Sequence, residues 1–457
     1  MKRKFILGIT AVMCASALAF ALAACTGTGN PTGDGDNTEP PNYPPPDTGT
    51  ADLFDFELNE DQSGYVVTGL AQGVTEAKVI IPARYNGLPV LEIGERAFGT
   101  CHNLTTVTIS AGITVIGSGA FTDCINIPSL KIPESVTVIS DSAFQNCTGL
   151  RALHFTGESK LEEIASNAFQ NCEKLGSISI PDSVITIGDR VFQGCASLKS
   201  VTVGNGVESI GEEAFRGCDK LESVEIGNSL KSIGAGAFIN CSKIAEMHFP
   251  ESLESVGLGA LSECTGIKKL TIPFLGSQKY STPVPENEED SPDNHTNFGY
   301  IFGASSYRDH NKLTLNNLET LTITGDSPIG YHAFQDIGKY TNPEGTKAIG
   351  LSTIIITGNV KVFGDGAFQG CYNLQTLVIP KSITKIGRQI LGATMIERVY
   401  YCGSEADWSR VSAGNAETNM HLFGNELLPD PRYYYSETSP TGNAKYWHYV
   451  DGVPTPW

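Results

Sequence analysis

Apolar residues recur through most of the chain in one repeating unit. In one copy, residues 175–180 read Leu-x-x-Ile-x-Ile, residues 184–187 read Val-x-x-Ile, and residues 188–195 read Gly-x-x-Val-Phe-x-x-Cys. The first segment alternates towards its end and is followed by Pro181, so it predicts a short strand, and the second segment predicts another. The third contains no proline, and its copies are rich in Ala, Gln and Glu, which favours one or two helical turns.

The unit recurs at a fixed spacing, because successive cysteines from Cys101 to Cys264 are 23 residues apart except for one step of 25. Such a period predicts a solenoid, in which one strand per coil stacks into a parallel sheet with a spacing of about 4.8 Å. We expect the Phe-x-x-Cys side chains to point into its core. They are Phe98, Phe121, Phe144, Phe169, Phe192, Phe215 and Phe238, with Cys101, Cys124, Cys147, Cys172, Cys195, Cys218, Cys241, Cys264 and Cys371.

The unit Ile-Gly-x-x-Ala-Phe-x-x-Cys followed by Leu-x-x-Leu-x-Ile-Pro resembles the BspA-type bacterial leucine-rich repeat. The resemblance covers residues 90–273 and resumes over 318–402. It implies an α/β fold, a right-handed, horseshoe-like leucine-rich-repeat solenoid with a parallel β-sheet and short helical turns. It also implies a bacterial surface protein that binds host or neighbouring-cell components.

The repeats divide the chain into seven predicted segments. The segments on either side of the array, 52–92 and 403–457, lack the repeat. They are expected to close its two ends, since a solenoid leaves its terminal core faces open. The segments are a lipoprotein signal peptide (1–24), a Pro/Gly/Thr-rich linker (25–51), an N-terminal β cap (52–92), regular 23-residue repeats (93–273), an insertion (274–317), further repeats (318–402) and an aromatic C-terminal cap (403–457).

The first residues of the chain predict export. A basic start at residues 2–4 precedes an apolar run over 5–21, which is typical of a secretory signal. Leu-Ala-Ala-Cys at 22–25 resembles a bacterial lipobox, which implies that Cys25 is lipidated and becomes the new N-terminus. The alternative is an ordinary signal peptide with a chance cysteine. We therefore expect an extracytoplasmic lipoprotein on the cell surface that contacts the membrane through its lipid anchor only.

Composition narrows the partners and the cysteine chemistry. The formal net charge of −19 disfavours nucleic acid as a partner. An even number of cysteines in an exported chain suggests disulfides, but these cysteines share one repeat position and their Cβ vectors would run parallel. Free buried thiols are therefore favoured over disulfides. A linear row of thiols also does not provide tetrahedral ligands, so we expect no metal.

No catalytic pattern stands out. The chain has no Gly-x-Ser-x-Gly, no His-Glu-x-x-His and no phosphate-binding glycine loop. The acidic run 286–293 lacks the spaced Asp/Asn-Gly pattern of a calcium loop, so a solvated loop is favoured there. We expect no cofactor and no enzymatic activity, and an enzyme with its site hidden in 274–317 is the disfavoured alternative.

The outward side of the strands is the main candidate binding surface. In Leu-x-x-Leu-x-Ile, the residues flanking the middle apolar position face away from the core. Many are small hydroxyl residues, such as Ser177 and Ser179, which can hydrogen-bond an extended partner. The alternative is a plain solvated sheet. The charged or imidazole side chains on this face are Lys131, His154, Glu225, Glu246, His248 and Lys269.

The insertion offers a second candidate surface in its aromatic residues Phe298, Tyr300, Phe302 and Tyr307, although packing on the sheet edge is the favoured alternative. Together these features predict a non-enzymatic, adhesin-like surface protein that binds host or neighbouring-cell proteins or glycans. The alternative is a structural or solute-capturing envelope lipoprotein that acts with partners in its own cell.

Overall fold

The computed structural model of the chain describes residues 51–279, 297–313, 315–337, 350–413, 419–423, 430–438, 445–450 and 453–457. These residues belong to one structural unit, Pro46–Trp457. The predicted signal peptide, Cys25, the linker up to residue 50 and the acidic run 286–293 lie outside the described residues.

The elements up to the insertion begin with the short 3-10 helix η1 (Ala51–Leu53). The strands that follow are β1 (Phe54–Leu58), β2 (Tyr65–Leu70), β3 (Lys78–Ile81), β4 (Arg84–Tyr85), β5 (Leu88–Ile93), β6 (Thr106–Ile109), β7 (Val115–Ile116), β8 (Ser129–Ile132), β9 (Val138–Ile139), β10 (Ala152–Phe155), β11 (Glu163–Ile164), β12 (Ser177–Ser179), β13 (Thr186–Ile187), β14 (Ser200–Val203), β15 (Ser209–Ile210), β16 (Ser223–Ile226), β17 (Ser232–Ile233), β18 (Glu246–His248), β19 (Ser255–Val256) and β20 (Lys269–Ile272).

The insertion contributes two 3-10 helices, η2 (Phe298–Phe302) and η3 (Tyr307–Lys312). The remaining elements are β21 (Thr320–Ile323), β22 (Thr353–Ile356), β23 (Val362–Phe363), β24 (Thr376–Ile379), β25 (Lys385–Ile386), β26 (Arg398–Tyr401), α1 (Glu405–Trp408), β27 (Ser412–Ala413), α2 (Met420–Phe423), β28 (Arg432–Tyr435), β29 (Tyr446–Val450) and β30 (Val453–Pro456).

Each regular coil contributes to three faces. The Leu-x-x-Leu-x-Ile segments form the first sheet, whose paired strands are parallel and in register, as Val201 with Val224 in β14 and β16. Pairing is missing between β6 and β8, between β10 and β12 and between β16 and β18. The two-residue strands form a second, continuous parallel sheet from β5 through β7 to β19, and β1 and β2 extend it at its start. The Phe-x-x-Cys segments form the third face. The predicted parallel solenoid is therefore confirmed.

The third face is built from turns and not from the predicted helical turns, which were wrong for this segment. Arg190 and Gly194, four residues apart, both have a left-handed backbone, with φ of 56° and 74°. A left-handed residue in every fourth position breaks the i to i−4 bonding of an α-helix. The Phe192 N–H instead donates to the Ala214 carbonyl of the next coil (2.7 Å), so this face too is hydrogen-bonded between coils.

The phenylalanines of the third face form a continuous stack in the core. Ring centroids of neighbours from Phe98 to Phe238 are 5.0–5.6 Å apart with nearly parallel planes. Each of these rings is at most 1% exposed. The cysteines that follow are buried as well, except Cys101, which is only partly buried. No Phe-x-x-Cys coil precedes Cys101, so that side of its thiol has no repeat neighbour.

The insertion is an enlarged coil of the solenoid. Strand β20 pairs directly with β21, across the insertion. On the third face, the Leu261 N–H donates to the Ile301 carbonyl (2.8 Å), and the Phe298 N–H donates to the Ala333 carbonyl (3.0 Å). The Phe298 ring lies 5.0 Å from that of Phe334, so η2 supplies the missing rung between two coils.

Both ends of the array carry antiparallel pairs. At the start, β1 and β2 pair antiparallel, and Phe54 lies edge-on to Phe98 at 6.0 Å, at the open end of the phenylalanine stack. At the other end, β29 and β30 form an antiparallel pair. Pro454 and Pro456 lie in the outer strand and lack the N–H needed to extend the sheet, which protects the edge from further pairing.

Candidate functional site

The predicted outward residues lie on the exposed side of the first sheet. Lys131, His154, Glu225, Glu246, His248 and Lys269 are all exposed, while the residues between them, such as Leu153 and Met247, are buried. The strict alternation follows from the two-residue period of a strand. The face that the sequence indicated is thus available to a partner along the regular coils.

The candidates fall into two groups on this face. Lys131 of β8 is the register partner of His154 of β10. Farther along, Glu246 of β18 is the register partner of Lys269 of β20, and their side chains form an ion pair at 2.8 Å. The hydrogen bond to Glu246 raises the pKa of Lys269. Since both side chains are well exposed, water and salt weaken this pair.

The aromatic residues of the insertion do not form the exposed surface that the binding hypothesis required. Phe298 and Phe302 are 1% and 6% exposed, so their assignment as binding residues is wrong. Their rings fill the core of the enlarged coil, because η2 replaces a repeat on the third face. Tyr300 and Tyr307 are partly exposed, and Tyr307 packs edge-on against Tyr331 at 5.9 Å.

The insertion is fastened by a buried histidine that the sequence did not single out. His310 is 2% exposed, and its Nδ1 donates to the Gln335 carbonyl at 2.8 Å. The other ring nitrogen accepts from the Gly299 N–H at 3.2 Å and lies against the Asn297 side chain. Burial lowers the pKa of His310 to about 4, so the ring is neutral at physiological pH.

Strand pairing on the outward face is interrupted between β6 and β8, between β10 and β12 and between β16 and β18, and a cleft lies at the seam between β10 and β12. The Gly176 N–H donates to the Arg151 carbonyl at 3.2 Å, and beyond that point the two strands do not pair. This coil contains the 25-residue step, and its extra residues lie in the loop 156–160. That loop is held by the preceding coil, because Thr156 N–H bonds to Ile132 and Lys160 N–H bonds to Glu134. The sheet is unpaired on the β12 side of this loop.

The seam forms a cleft of about 650 Å³ on the outward face. Its lining consists of Arg151, Ala152, Leu153, His154, Phe155, Gly157, Glu158, Ser159, Ser177, Ser179, Pro181, Asp182 and Ser183. Phe155 occupies the last apolar position of its repeat but remains partly exposed, whereas Phe249 at the equivalent position is fully buried. The cleft therefore combines one accessible aromatic ring with serine hydroxyls and charged side chains.

The sequence analysis did not identify three residues of the cleft, Arg151, Phe155 and Glu158. The available signal was the single 25-residue step between Cys147 and Cys172, which marks the coil that departs from the template. A departure from the period shows where the packing changes. It does not show which side of the coil opens, since that depends on which neighbour holds the extra residues.

Among the described ranges, no group of three or more His, Cys, Asp or Glu side chains is arranged to hold a metal ion. In the same part of the chain, no helix is both long and apolar enough to cross a bilayer.

Comparison with known proteins identifies the repeat. The sequence profile for the BspA type leucine-rich repeat region matches residues 86–175, 162–280 and 314–409, with six copies. The chain belongs to the BspA-type leucine-rich repeat family. No curated protein is significantly similar to this BspA-type chain in sequence.

Solved leucine-rich repeat structures resemble this BspA-type chain to a limited degree. A leucine-rich repeat protein of T. pallidum is 29% identical, with 42% of this chain and 89% of that chain covered and a TM-score of 0.40. One from Bacteroides ovatus is 20% identical, with 79% and 98% covered and a TM-score of 0.41. A leucine-rich cell surface protein from Faecalibacterium prausnitzii is 23% identical, with 79% and 97% covered and a TM-score of 0.40.

Proposed function

We propose that this protein is a non-enzymatic, lipid-anchored binding scaffold on the cell surface, which holds host or neighbouring-cell proteins or glycans on the outward face of its first sheet. The observation that carries the proposal is this face itself: in-register parallel strands present exposed polar side chains in rows over a buried core. Solenoids of stacked repeats offer such extended faces to partners.

The anchor part of the proposal rests on Cys25 and the apolar segment before it. A lipid on Cys25 attaches the chain to a membrane, and the proline-rich residues 26–50 separate the repeats from it. Growth with labelled palmitate tests this directly. The wild type is expected to carry the label and to sediment with membranes, and Cys25→Ala is expected to lose both properties. A labelled Cys25→Ala variant would contradict the anchor.

The binding part is tested by two matched substitutions. Glu246 and Lys269 form an exposed ion pair on the first sheet face, and Glu208 and Lys231 form one at 2.8 Å on the second sheet side. Reversing either acid removes one exposed pair, so Glu246→Arg and Glu208→Arg disturb folding alike. Binding of the full-length protein to host-cell matrix, intact neighbouring cells and cell-wall polysaccharide is then measured for each.

We expect Glu246→Arg to weaken binding to host-cell matrix or neighbouring cells and Glu208→Arg to leave it unchanged. Equal effects of both substitutions would remove the first sheet face from the proposal. If the wild type binds material from its own envelope and neither matrix nor other cells, the second reading, an envelope protein acting with partners in its own cell, replaces adhesion. Deletion of 274–317 is unsuitable as a test, because Phe298 and Phe302 are core residues.

A further inference from the structure

The cleft between β10 and β12 has a chemistry that the regular coils do not share. Elsewhere on the regular coils, the last apolar side chain of the strand segment lies in the core, as at Phe249, or is aliphatic and partly buried, as at Ile226. In the cleft, Phe155 is partly exposed and shares the lining with serine and charged side chains. An aromatic ring surrounded by hydroxyls and charges offers one apolar surface and many hydrogen-bonding groups in the same place.

A peptide strand does not fit between the separated strands. Cα atoms of β10 and β12 lie within 8 Å of one another. A strand inserted between them would need about 10 Å, which is twice the usual spacing of 4.7–4.9 Å. The cleft also offers one partly exposed ring and no deep apolar pocket of the kind that receives peptide anchor side chains. These facts disfavour a protein segment as the ligand.

The charges of the cleft disfavour a polyanion. Arg151 stands with Glu158 and Asp182 in the lining, so one positive charge faces two negative charges there. The chain as a whole carries a formal charge of −19 and repels acidic polymers. The ligand that suits this lining is uncharged and rich in hydroxyl groups.

A sugar ring matches these requirements. Its hydroxyls both donate and accept hydrogen bonds, as do those of Ser177 and Ser179, while Arg151 donates and Glu158 accepts. The C–H groups of one ring face are apolar and suit the Phe155 ring. The volume of about 650 Å³ lies within the range of small-molecule sites, about 300–1,000 Å³.

We infer that this cleft binds a short segment of an uncharged polysaccharide, with Phe155 against a sugar ring and Arg151, Ser177 and Ser179 hydrogen-bonded to its hydroxyls. The inference rests on the proposed function, since it names the ligand class for the outward face. It differs from it in placing the contact at one seam, away from Glu246 and Lys269.

The test uses the purified full-length protein in native gels cast with defined polysaccharides. The uncharged probes are mannan, arabinoxylan, galactan and mixed-linkage β-glucan, and polygalacturonate is the acidic comparison. We expect at least one uncharged probe to retard the protein and polygalacturonate not to. Each variant is then titrated with the binding probe by calorimetry, and its fold is checked by circular dichroism.

Two substitutions have matched controls. Phe155→Ile installs the residue that Ile180 provides one coil later, and Phe249→Ile makes the same change at a buried site. Ser177→Val removes a cleft hydroxyl, and Ser223→Val removes one from the same repeat position on β16. Loss of a ring contact or of a hydrogen bond should weaken binding about tenfold for the cleft variants and leave the control variants unchanged.

Three outcomes would overturn the inference. They are retardation by none of the uncharged probes, binding to polygalacturonate alone, and equal affinities of the cleft variants and their controls. If one of these outcomes occurs but Glu246→Arg still weakens binding to cells or matrix, only the polysaccharide inference fails and the proposed function stands. If Glu246→Arg has no effect in those assays either, both fail.

Discussion

The Cys195 thiol lies 3.4 Å from the carbonyl oxygen of Phe169 in the preceding coil and donates a hydrogen bond to it. The same bond recurs from Cys124 to Phe98 at 3.0 Å and from Cys371 to Phe334 at 3.1 Å. Each cysteine thus fills space in the core and also pairs a backbone carbonyl of the turn face. Alanine would leave part of this space empty and could not donate the hydrogen bond. The row of stacked cysteine thiols, called the thiol ladder below, therefore has a role beyond its apolar character.

The burial of the ladder predicts unreactive thiols. Burial raises the pKa of the Cys195 thiol to about 12, so little thiolate forms at neutral pH. In the native protein at pH 8, iodoacetamide should label the partly buried Cys101 and Cys402 first and leave Cys195 unmodified. After denaturation without reductant, all cysteines of the described residues should react. Peptide mass spectrometry measures both, and cysteines that stay unlabelled after denaturation would indicate disulfides instead.

Truncation of one ring in the stack should be costly. Phe192 is fully buried between Phe169 and Phe215, whose centroids lie 5.6 and 5.3 Å away. Phe192→Ala should lower the free energy of unfolding by about 3–5 kcal/mol. Phe192→Leu, which copies the residue at Leu261, should cost about 1 kcal/mol, because most of the volume is kept. Urea unfolding followed by circular dichroism gives the comparison, and near-equal midpoints for the wild type and the alanine variant would exclude the stack as a major stabilising element.

Substitution by alanine should cost more stability at a glycine with a left-handed backbone than at one without it. Gly194 has a φ of +74°, and a Cβ there would lie 2.4 Å from Asn171 Oδ1. Gly176 has no such φ, and its nearest atom, the Arg151 carbonyl oxygen, would be 3.8 Å away. Gly194→Ala should therefore destabilise the protein by about 1–2 kcal/mol. Gly176→Ala should leave the thermal midpoint nearly unchanged, and a larger loss at Gly176 than at Gly194 would contradict the turn geometry.

His310 predicts a pH dependence of the insertion. Its pKa falls from the usual 6.5 to about 4 in the folded chain because of burial. Below pH 6.5 the unfolded chain takes up a proton that the folded chain does not, so stability falls as the pH drops from 6.5 to 4. Above pH 6.5, His310 does not make the stability depend on pH. The slope contributed is at most about 1.4 kcal/mol per pH unit.

The measurement compares unfolding midpoints of the wild type and His310→Gln at pH 7.5, 6 and 5. The neighbouring Asp309 and the other carboxylates titrate in both proteins, so the difference between the two profiles isolates His310. The wild type should lose more stability than the variant between pH 7.5 and 5. Parallel profiles would show that His310 keeps its usual pKa.

The turn face differs from the sequence prediction. The segment from Gly188 to Cys195 was predicted to be helical, yet the chain places Arg190 and Gly194 in the left-handed region. Composition does not reveal this, since arginine favours a helix. The N–H groups of Arg190, Phe192 and Gly194 donate to carbonyls of the next coil, 22 residues away. These contacts between coils outweigh the local preference.

The sequence by itself determined the repeat, the family and the sides of each strand. With a 23-residue period, each coil lies between two coils that carry equivalent residues at the same positions. The side that is apolar in one coil is therefore buried in every coil. Only the tertiary structure decided what happens where the period fails: η2 fills a core rung, and the loop after Phe155 opens a cleft. The physical reason is that extra residues can be held by the coil before or the coil after, and only the contacts between coils select one.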